Sequence, residues 1–168
     1  EADGLRKWLD RLGAAVAVSR VAVAERARSR GKGLEDAGRE LRYAALARRA
    51  RKLGFNKVAT GHQLDDQAET VLLHLLRGTR LAALGGMSPR RALAPGVELI
   101  RPLLALSRAD VEAYLDVHEL SWREDESNAD PKFTRNWIRR EALPLLERRN
   151  PRLKERLAGL SDQVRRLT

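Results

Sequence analysis

Apolar residues recur along this chain with two different spacings, and the alternation of those spacings outlines a fold. A helical spacing covers Leu5 to Leu12 (Leu5, Trp8, Leu9, Leu12), with Gly13 just past its end. Ala14 to Val23 carries the β-branched Val16, Val18, Val21 and Val23 and reads as a strand. Gly31 and Gly33 then break the chain. Leu34 to Leu53 predicts a long helix with Leu34, Ala37, Leu41, Ala44, Ala45 and Leu53 on its buried side. A short apolar run, Lys57 to Thr60, predicts the next strand, and a strong helical run follows from about Asp65 to Gly78. Residues 79–96 hold Gly85, Gly86, Pro89, Pro95 and Gly96 and read as turns and an arginine-rich loop. Val97 to Leu104 is expected to be a last strand or extended segment, at an edge because of Pro102. Ser107 is expected to cap a helix running to about Glu119, with Asp110 and Glu112 near its start. After a polar loop from Glu124 to Pro131, Phe133 to Arg149 predicts a helix kinked at Pro144, and a final helix begins near Pro151.

This order implies an α/β fold: a parallel sheet flanked by helices, followed by a helical carboxyl-terminal segment. The expected division places residues 1–104 in the α/β part and residues 105–168 in the helical extension. A chain of 168 residues with 43% apolar residues can bury a sizeable core. There is no cysteine, which removes disulfides, thiolate metal sites and thiol nucleophiles from consideration. No run approaches the roughly 20 apolar residues of a membrane span, so a cytoplasmic protein with no membrane partner is expected. The opening Glu1-Ala2-Asp3-Gly4 has no signal-peptide pattern and is expected to lie inside a longer sequence.

Charge adds a partner. The net charge is +10, and residues 132–168 hold 11 Lys/Arg against 4 Asp/Glu. A basic carboxyl-terminal segment suits a polyanion, nucleic acid above all. A solvated arginine-rich helix would have the same composition.

The candidate chemistry is concentrated in Gly61-His62-Gln63-Leu64-Asp65-Asp66-Gln67-Ala68-Glu69-Thr70. An imidazole, three carboxylates, an amide and a hydroxyl stand there at a strand-to-helix junction, the place where open α/β sheets bind ligands. Asp66 and Glu69 are three apart and share a helix face. Asp65 and Asp66 are candidate Mg²⁺ ligands, since that ion takes oxygen donors and keeps waters and phosphates in its shell. The same acids would also favour a helix N-terminus for structural reasons alone. His62, just past a strand end, is placed to act as acid or base or to meet a phosphate. His74 and His118 read as structural. Arg39 and Arg42, one turn apart, offer planar forks for phosphate; a surface position would account for Arg42 as well and for Arg39 better. The acidic stretch Glu124-Asp125-Glu126, with Ser127-Asn128, precedes a basic helix start at Arg135, Asn136 and Arg139.

Together these pieces resemble the tRNA(Ile)-lysidine synthetase family of the PP-loop (N-type ATP pyrophosphatase) superfamily. The resemblance rests on an ordered series: Gly38-Arg39-Glu40-Leu41-Arg42-Tyr43, Gly61 through Thr70, Leu75-Leu76-Arg77-Gly78-Thr79 and Gly85-Gly86-Met87. It continues in Arg101-Pro102-Leu103-Leu104, Glu124-Asp125 with Ser127-Asn128, Arg135-Asn136 with Ile138-Arg139, and Leu143-Pro144. It implies an adenine nucleotide alpha hydrolase-like fold, incomplete at the amino end. The Ser-Gly-Gly-x-Asp-Ser loop that grips ATP in the family is not in this chain, and the chain alone is expected to be inactive.

The implied activity joins free L-lysine to carbon 2 of the wobble cytidine of a CAU-anticodon isoleucine tRNA, with ATP as co-substrate and Mg²⁺ as cofactor. The resemblance implies catalytic roles for His62, Asp66, Glu69 and Arg42, and nucleotide contacts at Thr60, Gly61, His62 and Asp65. It implies tRNA contacts at Arg77, Arg80, Lys132, Arg135, Asn136 and Arg139. Two further readings stand beside it: a non-catalytic basic RNA-binding module, and another PP-loop enzyme adenylating a different substrate. Oligomeric state is left open, a homodimer among the options.

Overall fold

The computed structural model describes residues 9, 13–19, 21–30, 33–78, 80–122 and 134–168. Apart from Leu9, the helix expected over Leu5–Leu12 lies outside them, as do the loop Glu124–Pro131 and Lys132. The elements are α1 (Val23–Arg30), α2 (Leu34–Lys52), β1 (Lys57–Ala59), α3 (Leu64–Leu76), a 3-10 turn (Leu81–Gly85), β2 (Arg90–Ala94), β3 (Val97–Ile100) and α4 (Arg108–Val117). They are followed by α5 (Thr134–Trp137), a π-helical stretch (Ile138–Ala142), α6 (Leu143–Glu147) and α7 (Leu153–Leu167).

Three departures from the expected elements have physical causes. Residues 14–19, 21 and 22 form no strand, and Val23 opens α1 instead. β-branched side chains supply propensity, but pairing has to come from a neighbouring strand, and the described residues show none beside it. Conversely β2, expected to be loop, forms in a segment with little β-propensity. It pairs with β3 across the two-residue turn Pro95-Gly96, so these two strands are antiparallel. Arg90 and Glu98 add a cross-strand ion pair at 2.8 Å. Finally, β3 is central in the order β1–β3–β2 and not an edge. Pro102 lies beyond its last residue, in the turn at residues 102–105, where its missing N–H removes no ladder bond.

Internal contacts divide the chain into two units, residues 1–58 with 93–97, and residues 59–92 with 98–168. In the first, α1 packs on α2. The buried stripe of α2 is Ala37, Tyr43, Ala47 and Ala50, while Ala44 and Leu53 are exposed. The face is turned from the expected one because alanines spread around an arginine-rich helix carry little periodic signal.

In the second unit α3 lies along α7 and on the 3-10 turn. Ala68, Val71, Ile138, Leu143 and Leu157 form its core, with Leu72, Leu73, Leu84 and Leu153 packed against it. Each larger side chain buried this way stabilises by about 1.5–3 kcal/mol. The division expected after residue 104 does not coincide with this partition, because α7 shares a core with α3. Helix α3 stops at Arg77, where Gly78 takes φ +64°, a conformation only glycine adopts without cost. The irregularity expected at Pro144 appears one turn earlier. Proline's ring clashes with the carbonyl four residues back, here Arg140, and the wider π turn accommodates it.

Candidate functional site

The junction between β1 and α3 is pinned by two backbone hydrogen bonds. The Thr60 N–H donates to the Ile100 carbonyl at 3.0 Å, and the Leu64 N–H donates to the Leu106 carbonyl at 2.8 Å. Between them the Thr60 hydroxyl meets Nδ1 of His62 at 2.8 Å, which orients the imidazole. Gly61 is exposed, and a Cβ there would meet no heavy atom within 4 Å. At the start of α3, Oδ2 of Asp66 accepts from the Gln63 N–H at 2.9 Å. Asp66 therefore caps its own helix with one oxygen, as an acid in the first turn should.

Asp65 points elsewhere. Its Oδ2 accepts from the Arg108 N–H at 2.7 Å, and its Oδ1 meets Lys154 Nζ at 2.7 Å. The same ammonium reaches Glu147 at 3.1 Å. Burial by itself pushes the Asp65 carboxyl up, but the Lys154 ammonium and the Arg108 N–H outweigh it and hold the carboxyl below its usual range. Burial likewise pulls Lys154 down, and its two carboxylate partners raise it above the ordinary lysine value. Asp65 thus joins α3, α4 and α7. These contacts are structural ones, and the Mg²⁺ and nucleotide roles expected of Asp65 stay a proposal. Among the described residues no group of three or more His, Asp or Glu side chains is arranged to hold a metal. Neither Lys154 nor Glu147 was legible as part of the site, since both lie more than 80 residues from Asp65 in the sequence.

Asp66 and Glu69 do share a face of α3, and two arginines meet them there. Glu69 is 1% exposed. Its Oε2 accepts from Nε of Arg135 at 2.9 Å and from Nη2 of Arg139 at 3.0 Å, while Oε1 accepts from Nε of Arg139 at 2.5 Å. Oδ1 of Asp66 stands 3.5 Å from a terminal nitrogen of each arginine. The Glu69 carboxylate beside it raises the pKa of Arg139 further, so this guanidinium stays charged at any ordinary pH. Among the described residues, one buried and one half-buried acid meet two arginines here. Arg135 and Arg139 are four apart and were expected to face RNA together; they face Glu69 together.

Gln67, also in α3, is 1% exposed, and its Oε1 accepts from the Met87 N–H at 2.8 Å. Gly86 takes φ +59°, and a Cβ there would lie 2.8 Å from Gln67 Nε2. The Gly85-Gly86-Met87 turn is thereby fitted to the Gln67 amide. A cavity of about 460 Å³ opens beside it, lined by Leu64, Gln67, Arg101, Leu104, Ala158 and Arg165 among others. His62, Asp66 and Glu69 do not line it.

Of the remaining candidates, Asn136 is buried, with 9% of its surface exposed. It sits next to Arg135 but turns about 100° around the helix toward the interior. Arg77 and Arg80 are exposed on either side of Gly78. Arg42 belongs to the first unit, is exposed, and holds its guanidinium 5.8 Å from the Tyr43 ring centre. Arg39 does the same at 5.7 Å. His74 is structural, its Nδ1 2.6 Å from the Ala83 carbonyl, and His118 ends α4 against Tyr114. No helix among the described residues is long and apolar enough to cross a membrane.

Comparison with known proteins fits this geometry. The chain is 44% identical over 158 residues to a tRNA(Ile)-lysidine synthase of Thermus thermophilus, a match covering 94% of this chain and 30% of that protein. It is 46% identical to the synthase of Geobacter sulfurreducens over 77% of the chain and 27% of the relative. The synthase of Pseudomonas aeruginosa is 43% identical over 92% of the chain and 33% of the relative. The chain thus spans about a third or less of the curated relatives it matches. Among solved structures, the U34-tRNA thiolase NcsA from Methanococcus maripaludis with its [4Fe-4S] cluster superposes with a TM-score of 0.73 at 18% identity. That match covers 97% of this chain and 56% of the thiolase and shows a common fold. A model of the PP-loop domain matches residues 1–146, and with the fold and the ordered motifs in agreement the chain belongs to the PP-loop domain family.

Proposed function

We propose that this chain is the catalytic-domain portion of a tRNA(Ile)-lysidine synthase. In this reading the oxygen on carbon 2 of the wobble cytidine is first adenylated by ATP. The ε-amine of free lysine then attacks carbon 2, and AMP leaves with the oxygen. The observation that carries the reading is the shared face of Asp66 and Glu69, next to the Thr60–His62 pair, in a chain alike along nearly its whole length to lysidine synthases.

The reading gives each residue a task. Lysine arrives as an ammonium and must lose a proton before it attacks, and Asp66, a partly exposed carboxylate, is assigned to receive it. His62, oriented by Thr60, lies at the backbone turn where a nucleotide phosphate would approach. Mg²⁺ arriving with the nucleotide would supply charge neutralisation of the phosphates. Arg42 contributes a planar two-point contact to phosphate or to the adenylated base. Arg77, Arg80 and the basic segment from Lys132 contribute the attraction for isoleucine tRNA.

Glu69→Ala is a poor test, because it strands two arginines around a buried cavity and disturbs the fold. Asp66→Asn is the cleaner one. It keeps an oxygen for the Gln63 N–H and removes the charge. In the whole protein, ATP-dependent transfer of radiolabelled lysine to isoleucine tRNA should fall on the order of 10²–10³-fold, with circular dichroism unchanged. Near-normal turnover would reject the assignment. RNA binding without any ATP-dependent modification would favour the non-catalytic module. ATP-dependent RNA modification that incorporates no lysine would favour a different PP-loop activity.

A further inference from the structure

Asp66, which this reading assigns to the lysine ammonium, and its helix-face neighbour Glu69 already have cationic partners. Both oxygens of Glu69 accept from Arg135 and Arg139, and Oδ1 of Asp66 faces the same two guanidiniums. An incoming ammonium competes with two charge-assisted contacts, and an incoming phosphate competes with two carboxylates. Among the described contacts, each acid oxygen that faces the arginines already has a cationic neighbour, so either ligand alone has to displace one.

The helix that carries the arginines cannot simply swing aside. Ile138, between them, is fully buried in the core with Ala68, Val71, Leu143 and Leu157. The arginines themselves are long and partly exposed, with side-chain exposures of 21% and 34%. Any release of the arginines therefore has to come from rotation of the two side chains about an anchored backbone. When they leave, Glu69 stays behind, buried and charged. A bare buried carboxylate is costly, so departure of the arginines is favoured only when another cation takes their place.

We propose that Asp66, Glu69, Arg135 and Arg139 form a latch that couples RNA binding to amine binding. Phosphates of the RNA draw Arg135 and Arg139 off the carboxylates, and the ammonium of the amine substrate fills the vacated cation site. By linkage each ligand then tightens the other by the same factor. The free amine is held back until the RNA that will receive it is present. The inference rests on the lysine reading given above, and the experiment separates the two.

The experiment is equilibrium dialysis of radiolabelled L-lysine against the whole protein, with and without an RNA hairpin carrying the CAU anticodon loop. RNA should raise lysine affinity about tenfold, inside the roughly 5- to 150-fold range usual for coupled sites. Norleucine, which has the same length of stem without the ammonium, should gain nothing from RNA. In Arg135→Gln/Arg139→Gln, lysine should bind without RNA at least as well as it binds the unaltered protein with RNA, and RNA should add nothing. Lysine affinity in the unaltered protein that is the same with and without RNA overturns the latch. That measurement decides even where the double variant does not fold. A folded double variant that binds lysine no better than the unaltered protein without RNA also overturns it. Absence of lysine binding in every condition would defeat the lysine reading and the latch together, whereas binding without coupling defeats the latch alone.

Discussion

Removing the Lys154 ammonium tests the claim that Asp65 is a structural post. In Lys154→Met the stem length is kept and the charge is lost. Both partners are largely withdrawn from water, with side-chain exposures of 23% for Lys154 and 21% for Asp65. The variant loses one charge-assisted hydrogen bond of 2.7 Å, a contact of a kind that contributes about 1.5–3 kcal/mol. The second contact, at 3.1 Å to the partly exposed Glu147, adds about 0–1 kcal/mol. Asp65 keeps the Arg108 N–H, which limits the damage. The expected loss is about 2–3 kcal/mol near neutral pH. At roughly 2–4 °C per kcal/mol for a protein part of this size, the local transition falls by about 5–10 °C. Urea unfolding of the whole protein, followed by circular dichroism, measures it.

The pH dependence has a defined sign. Asp65 has a folded pKa below its unfolded value, so its contribution is present above the unfolded pKa and is lost as pH falls through the folded one. Lys154 has a folded pKa above its unfolded value, so its contribution is present below the unfolded pKa and is lost as pH rises through the folded one. The gap between the unaltered protein and Lys154→Met should therefore be widest between these limits. It should close in acid below the ordinary aspartate range and in strong base. A loss under about 0.5 kcal/mol, the size of an ordinary surface change, would count against an Asp65–Lys154 post. So would a gap that persists unchanged into acid.

Three further substitutions probe the site from other sides. Gly86→Ala places a Cβ 2.8 Å from Gln67 Nε2 at a residue with φ +59°, and chemical denaturation should show a loss of about 1–3 kcal/mol. Gly61→Ala meets no atom within 4 Å, so the melt should be unchanged. If nucleotide backs onto this turn, its KM for ATP should nonetheless rise, and an unchanged KM would remove Gly61 from the nucleotide contacts. Arg42→Lys keeps the charge but loses the planar fork, and tRNA modification should fall several-fold without a change in stability. Full activity would leave Arg42 as a surface residue over Tyr43.

Much of this protein could be read from local chemistry along the chain. Strongly periodic helices were legible: α2 ends where Leu53 predicted, α3 stops at Gly78, and α4 starts after its Ser107 cap. Those boundaries depend on local chemistry, namely apolar spacing, a capping hydroxyl and a glycine free to take positive φ. The acidic junction was legible for the same reason, because Asp66 and Glu69 need only helical spacing to share a face. The ordered motifs placed the chain in its family.

Tertiary structure decided what each acid meets. Asp65 and Asp66 are neighbours in sequence, yet successive helical residues point about 100° apart. One is therefore carried to Lys154 on α7 and the other to Arg135 and Arg139. Those partners lie 69 to 89 residues further along the chain, beyond the reach of any local pattern. Packing also buried Asn136 beside an accessible-looking arginine and gave β2 a partner that its own sequence does not call for. A helix needs only its own residues to close its hydrogen bonds, whereas a strand, an ion pair and a buried amide each need a partner that only the folded chain brings.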